Sequence, residues 1–238
     1  MDLRQPRGQE LFKRLVAKSD IVVENNPPET MEKLGVTYEA LRAVKPDIIM
    51  ISMPGFGSTG PYRNYRALGA NLDEAAGHTW LRRYRDMDPS SASLILFSDA
   101  TSGAHGAFAA LAALRYRSRT GKGQYIDLAQ VETLMPYLAE AILDYTMNGR
   151  VQDTLGDRHP FMAPHGCYRC RGEDRWVVIA VASDEEWQGL CRAMGNPPWT
   201  RDEKFSDSLS RYRNQDEMDR LIEGCLLYTS PSPRDRQK

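Results

Sequence analysis

The order of short apolar strands and helices in residues 1–60 constrains the fold of this chain most strongly. A predicted helix over residues 6–19 is followed by the strand "DIVVEN" at residues 20–25. Two short helices, "PPETMEKLG" and "TYEALRAVKP", then lead to the strand "DIIMIS" at residues 47–52. Strands joined by helical crossovers are typical of a parallel sheet covered by helices. The sequence therefore predicts the α/β class. One such unit cannot close a sheet, so we expect the chain to start partway into its fold.

A glycine-rich loop, "PGFGSTGP" at residues 54–61, follows the second strand. Glycine allows another backbone or a ligand to approach closely, whereas proline stiffens the path of the chain. In open α/β sheets, loops at the carboxyl ends of the strands line the ligand crevice. The glycine spacing matches neither the P-loop nor the dinucleotide-binding motif. A structural turn and a binding loop therefore both remain open.

The middle of the chain predicts three further helices and one strand. Residues 67–80 form a small-residue helix that ends at Gly77, and an alanine-rich helix follows "SLILFSD". After the turn "GKG", the segment "QYIDLA" is a short strand. Residues 130–147 then predict a single amphipathic helix, which Asn148 and Gly149 stop. In the first part of the chain, Thr37 is the predicted N-cap of the helix that follows it.

A second, smaller unit is predicted beyond this helix. The segment "GCYRCRGEDRWVVIAVAS" alternates as a β-hairpin around a charged turn, and "SDEEWQGLCRAMG" is a helix with Ser183 or Asp184 as its N-cap. We therefore expect residues 1–149 to form a large domain and residues 150–225 to form part of a smaller α+β domain.

The last residues depart from this pattern. The segment "CLLYTSPSPRDRQK" changes abruptly to serine, proline and charge, without periodicity. It looks like translated adapter sequence rather than native protein. We expect residues 226–238 to be a non-native, disordered tail and exclude them from the argument about the fold.

Charge and composition favour small-molecule partners. The 31 Lys and Arg residues nearly balance the 32 Asp and Glu residues, so the net charge of −1 offers no broad field for nucleic acid or anionic lipid. No apolar run is long enough to span a bilayer, and no signal-peptide core follows the N-terminus. We therefore expect no nucleic-acid or membrane partner and a cytoplasmic location.

The cysteines indicate neither a disulfide scaffold nor a metal site. Four cysteines in 238 residues are too few for a disulfide-rich fold. Cys167 and Cys170 form a CxxC pair, but the second half of a zinc site is missing. The alternation around them favours an ordinary strand position, and we expect reduced thiols and no metal.

Asp99 stands where the apolar run becomes the alanine-rich helix. Ser98 and Asp99 are both good N-cap residues, and a cap alone would account for an acid at this position. The positive end of a helix also stabilises a negative charge, and small neighbours such as Ala100 and Gly103 leave room for a substrate. A carboxylate in such a place can attack an activated acyl group. From the residues alone, both the cap and the nucleophile remain open.

Four motifs carry a family resemblance. They are the "VVEN" strand, the "GFGSTGPY" loop, the aspartate before a Gly-bearing, alanine-rich helix, and "TGKGQYIDLA". Together they resemble the class III CoA-transferase family, which includes formyl-CoA transferase and carnitine CoA-transferase. The similarity covers residues 2–224 in order. It implies a partial Rossmann-like parallel sheet with long connecting helices, followed by the start of the smaller domain.

The resemblance implies a reaction and a nucleophile. Members of the family move CoA from an acyl-CoA donor to a free carboxylic acid, and their nucleophilic aspartate matches Asp99. The implied intermediates are an aspartyl anhydride and an aspartyl-CoA thioester. Because the thioester bond energy is kept throughout the exchange, the resemblance implies no cofactor other than CoA as a substrate.

Further site residues are implied only by the resemblance. Contacts to the adenine and ribose end of CoA match Asn25, Asn26 and Lys33, although Pro27 and Pro28 stand where a glycine-rich turn is common. The pantetheine channel matches Ala67, Leu68, Gly69 and Ala70, and the helper carboxylate of formyl-CoA transferase is replaced by Ala70. The substrate-proximal positions are Gly55, Phe56 and Gly57. Arg158 and His159 are either contacts to CoA or the acid, or an exposed loop pair.

Two alternatives accompany the transferase reading. The fold also hosts α-methylacyl-CoA racemases, but their histidine matches Gly69, and His78 and His105 lie elsewhere in the pattern. The chain is alternatively an inactive or CoA-binding-only fragment, because family members have a further segment at each end. Full-length members form interlocked homodimers, so the resemblance implies the same assembly here.

Overall fold

The computed structural model describes residues 1–92 and 95–227, which divide into two compact units. The first unit comprises residues 1–83 and 87–153. The second comprises residues 84–86 and the described chain from residue 154 onwards. Residues 228–238, most of the expected non-native tail, lie outside the described residues.

The first unit is built on a three-stranded parallel sheet. Its strands are β1 (Ile21–Glu24), β2 (Ile49–Ser52) and β3 (Tyr125–Asp127), in the order β1-β2-β3. Both pairings are parallel, with Ile21 opposite Ile49 and Ile51 opposite Ile126. Every residue of β2 is buried, because helices cover both faces of this central strand. The predicted α/β class with a parallel sheet is confirmed.

The described part of the first unit contains seven α-helices. They are α1 (Pro6–Val16), α2 (Pro28–Lys33), α3 (Tyr38–Val44), α4 (Gly69–Ala75), α5 (His78–Arg82), α6 (Phe97–Thr120) and α7 (Ala139–Asn148). Thr37 caps α3 by accepting a hydrogen bond from the Ala40 amide at 3.4 Å, as predicted. Within the described residues, no helix is both long and apolar enough to cross a bilayer.

Of the helices predicted here, one agrees with the structure and one differs. The predicted helix within residues 67–80 ends at Gly77 as expected, because α4 ends at Ala75 and Gly77, at φ +86°, separates it from α5. The single helix predicted over residues 130–147 is wrong, because residues 131–138 form a 3-10 helix that contains Pro136. Proline cannot donate the backbone hydrogen bond that an α-helix needs. Regular α-helix begins only at Ala139.

The second unit contains the predicted hairpin and helices packed against it. Strands β4 (His165–Arg169) and β5 (Trp176–Ala180) are antiparallel. The helices are α8 (Asp184–Ala193), α9 (Ser208–Arg213) and α10 (Gln215–Leu226). Ser183 caps α8 by accepting from the Glu186 amide at 3.2 Å, as one of the two predicted alternatives. The core includes the buried side chains of Trp187, Phe205, Met218 and Ile222.

The CxxC cysteines lie at the end of β4. Cys167 is exposed on the strand, and Cys170 is buried just beyond it. Burial raises the pKa of the Cys170 thiol, which makes the thiolate less available. Across the described residues, no cluster of three or more His, Cys, Asp or Glu side chains could hold a metal ion.

Candidate functional site

A cleft of about 480 Å³ opens in the first unit at the carboxyl ends of β1 and β2. Its walls come from the turn after β1, the loop after β2, the segment before α4, the first turn of α6 and Gln130. The lining residues are Asn25, Pro27, Thr30, Pro54, Gly55, Tyr65, Arg66, Ala67, Leu68, Gly69, Asp99 and Gln130. The position matches the ligand crevice of open parallel sheets.

Asp99 lines this cleft from the first turn of α6. The prediction that Ser98 or Asp99 is the N-cap is wrong, because helix α6 begins at Phe97 and its N-cap is Leu96, at φ +48°. The carboxylate of Asp73, on α4, accepts hydrogen bonds from the Phe97 and Ser98 amides at 3.0 and 2.9 Å. A distant acid thus satisfies the free amides of the first helical turn.

The Asp99 carboxylate is left available as a result. It is exposed, and no described side chain forms a hydrogen bond or an ion pair with it. Asp73, by contrast, is 3 % exposed and committed to the helix terminus. The sequence allowed Asp99 either to cap the helix or to present a free carboxylate. In the structure, Asp73 provides the cap and Asp99 provides the free carboxylate.

Gly69 leaves space for the Asp99 carboxylate. A Cβ atom built on Gly69 would stand 2.8 Å from Asp99 Oδ1 and 2.9 Å from Oδ2. Such distances are shorter than van der Waals contact, so any side chain at position 69 would displace the carboxylate. The absence of a side chain at residue 69 is therefore part of the site.

Hydrogen bonds tie the walls of the cleft to one another. The Ser98 hydroxyl donates to the Gly69 carbonyl at 2.9 Å, which fixes α6 to the start of α4. On the other wall, the Gln130 side chain donates to the Met53 carbonyl at 2.6 Å. The Gln130 amide donates to the Pro54 carbonyl at 3.1 Å, and the Val131 amide donates to the Gly55 carbonyl at 3.0 Å. These bonds hold the loop after β2 against the 3-10 helix.

The loop after β2 contributes one of its three predicted residues to the cleft. Gly55 lines the cleft, whereas Phe56 packs against Tyr62 and Tyr65 with ring centroids 5.9 and 6.1 Å away. Gly57 is outside the lining and adopts φ +82°, a conformation that favours glycine. This segment is both a structured turn and part of the cleft wall.

Of the remaining predicted site residues in the first unit, some line the cleft and others do not. Asn25, Ala67, Leu68 and Gly69 line the cleft. The others, Asn26, Lys33 and Ala70, do not. The Asn26 amide donates to the Glu24 carboxylate at 2.7 Å, and Lys33 forms an exposed ion pair with Glu29 at 2.9 Å.

Arg158 and His159 belong to the second unit. The Arg158 guanidinium pairs with Asp216 at 2.6 Å and with Asp219 at 2.7 Å. The hydrogen bond from Arg158 lowers the pKa of the Asp216 carboxyl. The His159 ring packs edge-on against Phe161, with centroids 4.3 Å apart. Both side chains thus have partners within their own unit.

Sequence reasoning did not single out several lining residues, namely Pro54, Tyr65, Thr30, Gln130 and, as a specific contact, Arg66. Arg66 directly precedes the segment 67–70, which was predicted to line a channel, so its place in the chain was an available signal. Gln130 carries no such signal, because its position depends on contacts with residues far away in the sequence.

The two candidate histidines of the first unit, His78 and His105, contact neighbouring residues of the fold rather than the cleft. His105 Nδ1 lies 2.8 Å from the Thr101 carbonyl on its own helix. His78 stacks on Phe97 with ring centroids 4.9 Å apart, and burial lowers the pKa of its imidazole. Neither residue lines the cleft that contains Asp99.

Comparison with known proteins decides the family. A sequence profile of CoA-transferase family III matches residues 1–230. The chain belongs to CoA-transferase family III. The expected family is therefore confirmed, and the match extends into the segment that we expected to be non-native.

Curated and solved relatives agree with this membership. Succinyl-CoA–D-citramalate CoA-transferase of Chloroflexus aurantiacus is 34% identical over 97% of this chain and 57% of its own length. Acetyl-CoA:oxalate CoA-transferase of Acetobacter aceti is 29% identical over 95% of this chain and 58% of its own length. A CAIB/BAIF family protein from Brucella suis has a solved structure with a TM-score of 0.86 and 31% identity, covering 99% of this chain and 61% of that one. This chain thus spans somewhat more than half the length of these family III relatives.

Proposed function

We propose that this protein transfers CoA from an acyl-CoA to a free carboxylic acid, with Asp99 as the nucleophile. The observation that carries the proposal is the exposed Asp99 carboxylate, which lines a cleft and has no partner among the described residues. A carboxylate that is not committed to a cap or an ion pair is able to attack an acyl carbon.

The names of the relatives support the substrate class. One relative is named for succinyl-CoA and D-citramalate, and another for acetyl-CoA and oxalate. Each name pairs a CoA thioester with a carboxylic acid. We extend this general class to the present chain as part of the proposal.

The first half of the proposed reaction loads CoA onto the enzyme. A carboxylate oxygen of Asp99 attacks the thioester carbonyl of the donor, the carbon–sulfur bond breaks, and CoA thiolate leaves an acyl-aspartyl anhydride. The thiolate then attacks the aspartyl carbonyl of this anhydride. The donor acid departs as its carboxylate, and Asp99 carries CoA as a thioester.

The second half reverses these bond changes with the acceptor. The acceptor carboxylate attacks the aspartyl thioester carbonyl and expels CoA thiolate, which forms a second anhydride. The thiolate attacks the acceptor acyl carbon, and this step releases the new acyl-CoA and the Asp99 carboxylate. No net proton or electron is consumed, so CoA takes part as a substrate and the proposed reaction needs no further cofactor.

The structure offers less support for racemisation. The family racemases have a histidine where this chain has Gly69, and a side chain there would meet the Asp99 carboxylate. His78 and His105 lie outside the cleft. The available carboxylate beside a glycine favours nucleophilic attack over abstraction of an α-proton.

We also propose an interlocked homodimer and, from the sequence, a cytoplasmic location. The support for the homodimer is the apolar surface of α6 and α7, where Phe108, Leu111 and Met147 are 74 %, 68 % and 77 % exposed. Apolar surface of this extent is typical of faces that a partner covers.

The test of the proposed function is chemical trapping. The protein is incubated with succinyl-CoA, acetyl-CoA or butyryl-CoA, quenched with hydroxylamine or borohydride, and digested for peptide mass analysis. We expect a modification on Asp99 that is lost in Asp99→Asn. Glu140→Gln is the matched control, because Glu140 is an exposed acid in the first turn of α7.

The other outcomes separate the alternatives. An unmodified Asp99 with every donor, together with retained CoA binding, would reject the transferase and favour a CoA-binding fragment. Exchange of an α-proton in deuterated water under the same conditions would favour the racemase instead.

A further inference from the structure

The last residue of β1, Glu24, is an acid that the proposed reaction does not use. It belongs to the "VVEN" motif and is directly followed by Asn25, which lines the cleft. Glu24 itself is half-buried and does not line the cleft. Its side chain therefore affects the site only through the groups that it contacts.

Two segments of the chain donate to the Glu24 carboxylate. The Asn26 backbone amide donates at 2.7 Å and the Asn26 side-chain amide lies at 3.4 Å, both from Oε2. The Ser52 hydroxyl, at the end of β2, donates to Oε1. Ser52 is 3 % exposed, so this bond is shielded from water. The carboxylate thus joins the turn after β1 to the end of the neighbouring strand.

The backbone makes the same connection at the end of the sheet. Glu24 lies opposite Ser52 in the parallel pairing, and the Met53 amide donates to the Glu24 carbonyl at 2.8 Å. Beyond these bonds, the turn after β1 and the loop after β2 form separate parts of the cleft wall. The Asn26 amide finds its acceptor in the Glu24 side chain rather than in β2, so the side chain extends the connection into the turn.

The two asparagines of the turn have different surroundings as a result. The Asn26 side chain is engaged by Glu24, and its Nδ2 lies 3.6 Å from Met31 Sγ on α2. Asn26 is outside the cleft lining, whereas Asn25 and Pro27, on either side of it, are part of that lining. The conformation of Asn26 therefore sets where its two neighbours stand in the cleft.

From this arrangement we propose that Glu24 is a positioning residue: by binding the Asn26 amide, it fixes the turn after β1 and keeps Asn25 in place to contact CoA. This inference rests on the proposed function, in which the cleft binds the CoA thioester, and it names a residue on which that binding depends. A turn that is fixed before the ligand arrives loses less conformational entropy when the ligand binds.

The length of the side chain separates positioning from charge. Glu24→Gln keeps the length: its amide oxygen accepts from Asn26, and its NH₂ group donates to the Ser52 hydroxyl, which accepts as well as donates. Glu24→Asp keeps the charge but is one methylene shorter, so it does not reach both donors. Positioning therefore predicts a loss of affinity in Glu24→Asp and none in Glu24→Gln, whereas an effect of charge predicts the reverse.

Calorimetry measures the Kd of CoA for the full chain and for each variant. We expect the Kd to rise about 10-fold in Glu24→Asp and to stay within about twofold of wild type in Glu24→Gln, because an unfixed turn must be ordered on binding. In transfer assays, KM for succinyl-CoA should rise with the Kd while kcat is unchanged, because Asp99 is not altered. Glu39→Gln is the control, since Glu39 is an exposed acid of α3 outside the cleft lining, and it should keep the wild-type Kd.

A double variant tests whether Glu24 acts through Asn25. Once Asn25→Ala has removed that side chain, Glu24→Asp should cost little further affinity, so the two losses are not additive. Additive losses, a wild-type Kd in Glu24→Asp, or an equal loss in Glu24→Gln and Glu24→Asp would overturn the inference, as would a wild-type chain that does not bind CoA.

The outcomes also separate this inference from the proposed transfer. CoA binding that depends on Glu24, without an adduct on Asp99, rejects the transfer and supports the positioning role. An adduct on Asp99, with CoA binding that is the same in every Glu24 variant, supports the transfer and rejects the positioning role.

Discussion

The Asp99 carboxylate lies against the α-carbon of Gly69, with Oδ1 only 2.8 Å from where a Cβ would be. The two residues are on different helices, and the bond from the Ser98 hydroxyl to the Gly69 carbonyl keeps those helices in register. The orientation of the proposed nucleophile therefore depends on a residue that contributes no side chain.

Gly69→Ala tests this dependence. The new methyl group forces the Asp99 carboxylate to rotate, and displacement of a reacting group by about 1 Å can lower turnover by about 100-fold. Asp99 is an exposed, flexible side chain, so we expect the free energy of unfolding to change by no more than about 1 kcal/mol. Steady-state transfer kinetics and urea unfolding measure the two effects separately.

Gly103→Ala is the matched control for this change. The sequence suggested that Gly103 leaves room for a substrate, but in the structure Gly103 lies on α6 outside the lining of the cleft, and nothing is within 4 Å of its added Cβ. Alanine in a helix interior is more stable than glycine by about 1 kcal/mol, so this variant should gain stability and keep its activity. Equal activity losses in the two variants would contradict the importance of the Gly69 contact.

Asp73→Ala tests the cap of α6. The Phe97 and Ser98 amides would lose their acceptor, and each unsatisfied buried donor costs about 1–3 kcal/mol. We expect a lower free energy of unfolding by urea and a smaller loss in Asp73→Asn, because the amide oxygen still accepts one bond. Glu74→Ala is the control, because Glu74 is adjacent to Asp73 and exposed. An equal loss of unfolding free energy in the two alanine variants would be evidence against the cap.

Asp144 should make stability depend on pH in the acid range. The Arg150 bond at 2.5 Å, then those from Asn148 and Gln152, lowers the pKa of Asp144 from 3.8 to about 2. The ionised form is favoured in the folded state, so its contribution is fully present above pH 3.8 and is lost as the pH falls through about 2. Urea unfolding of wild type and Asp144→Asn at several pH values should show this difference shrinking below pH 3.8. A difference that is constant with pH would mean that the carboxyl titrates alike in both states.

Arg211 stabilises the second unit from inside its core. The side chain is 1 % exposed and donates to the Ala163 and Phe205 carbonyls at 3.0 and 3.4 Å and to Asp184 at 2.7 Å. Arg211→Ala leaves a cavity and removes the donor of buried carbonyls, and we expect a loss of about 3 kcal/mol in unfolding free energy. Arg213→Ala, on the exposed side of α9, should lose less than about 0.5 kcal/mol.

Local patterns were sufficient for the elements that depend on near neighbours in sequence. The strands, the hairpin and the caps at Thr37 and Ser183 follow from alternation and from side chains that bond to amides three residues away. The prediction for residues 130–147 failed because its apolar spacing suits an α-helix, whereas the Gln130 and Val131 amides donate to carbonyls of the loop after β2. Those acceptors lie about a third of the chain length away and leave no trace in the local pattern.

The candidate site, too, was only partly predictable from the sequence. The motifs around Asn25, Gly55, Gly69 and Asp99 were recognisable in the sequence, and the structure brings these four residues into one cleft. The contribution of Gln130 was not recognisable, because its place in the cleft depends on hydrogen bonds to the Met53 and Pro54 carbonyls, far away in the sequence.

The sequence by itself determined the α/β class, the positions of most helices and strands, and the aspartate at the start of α6. The tertiary structure decided that Asp73 caps this helix and that Asp99 remains available beside Gly69. The physical reason is the range of the interactions involved. Helix and strand patterns are set by residues a few positions apart, whereas the cap and the Gly69 contact join residues that only folding brings together.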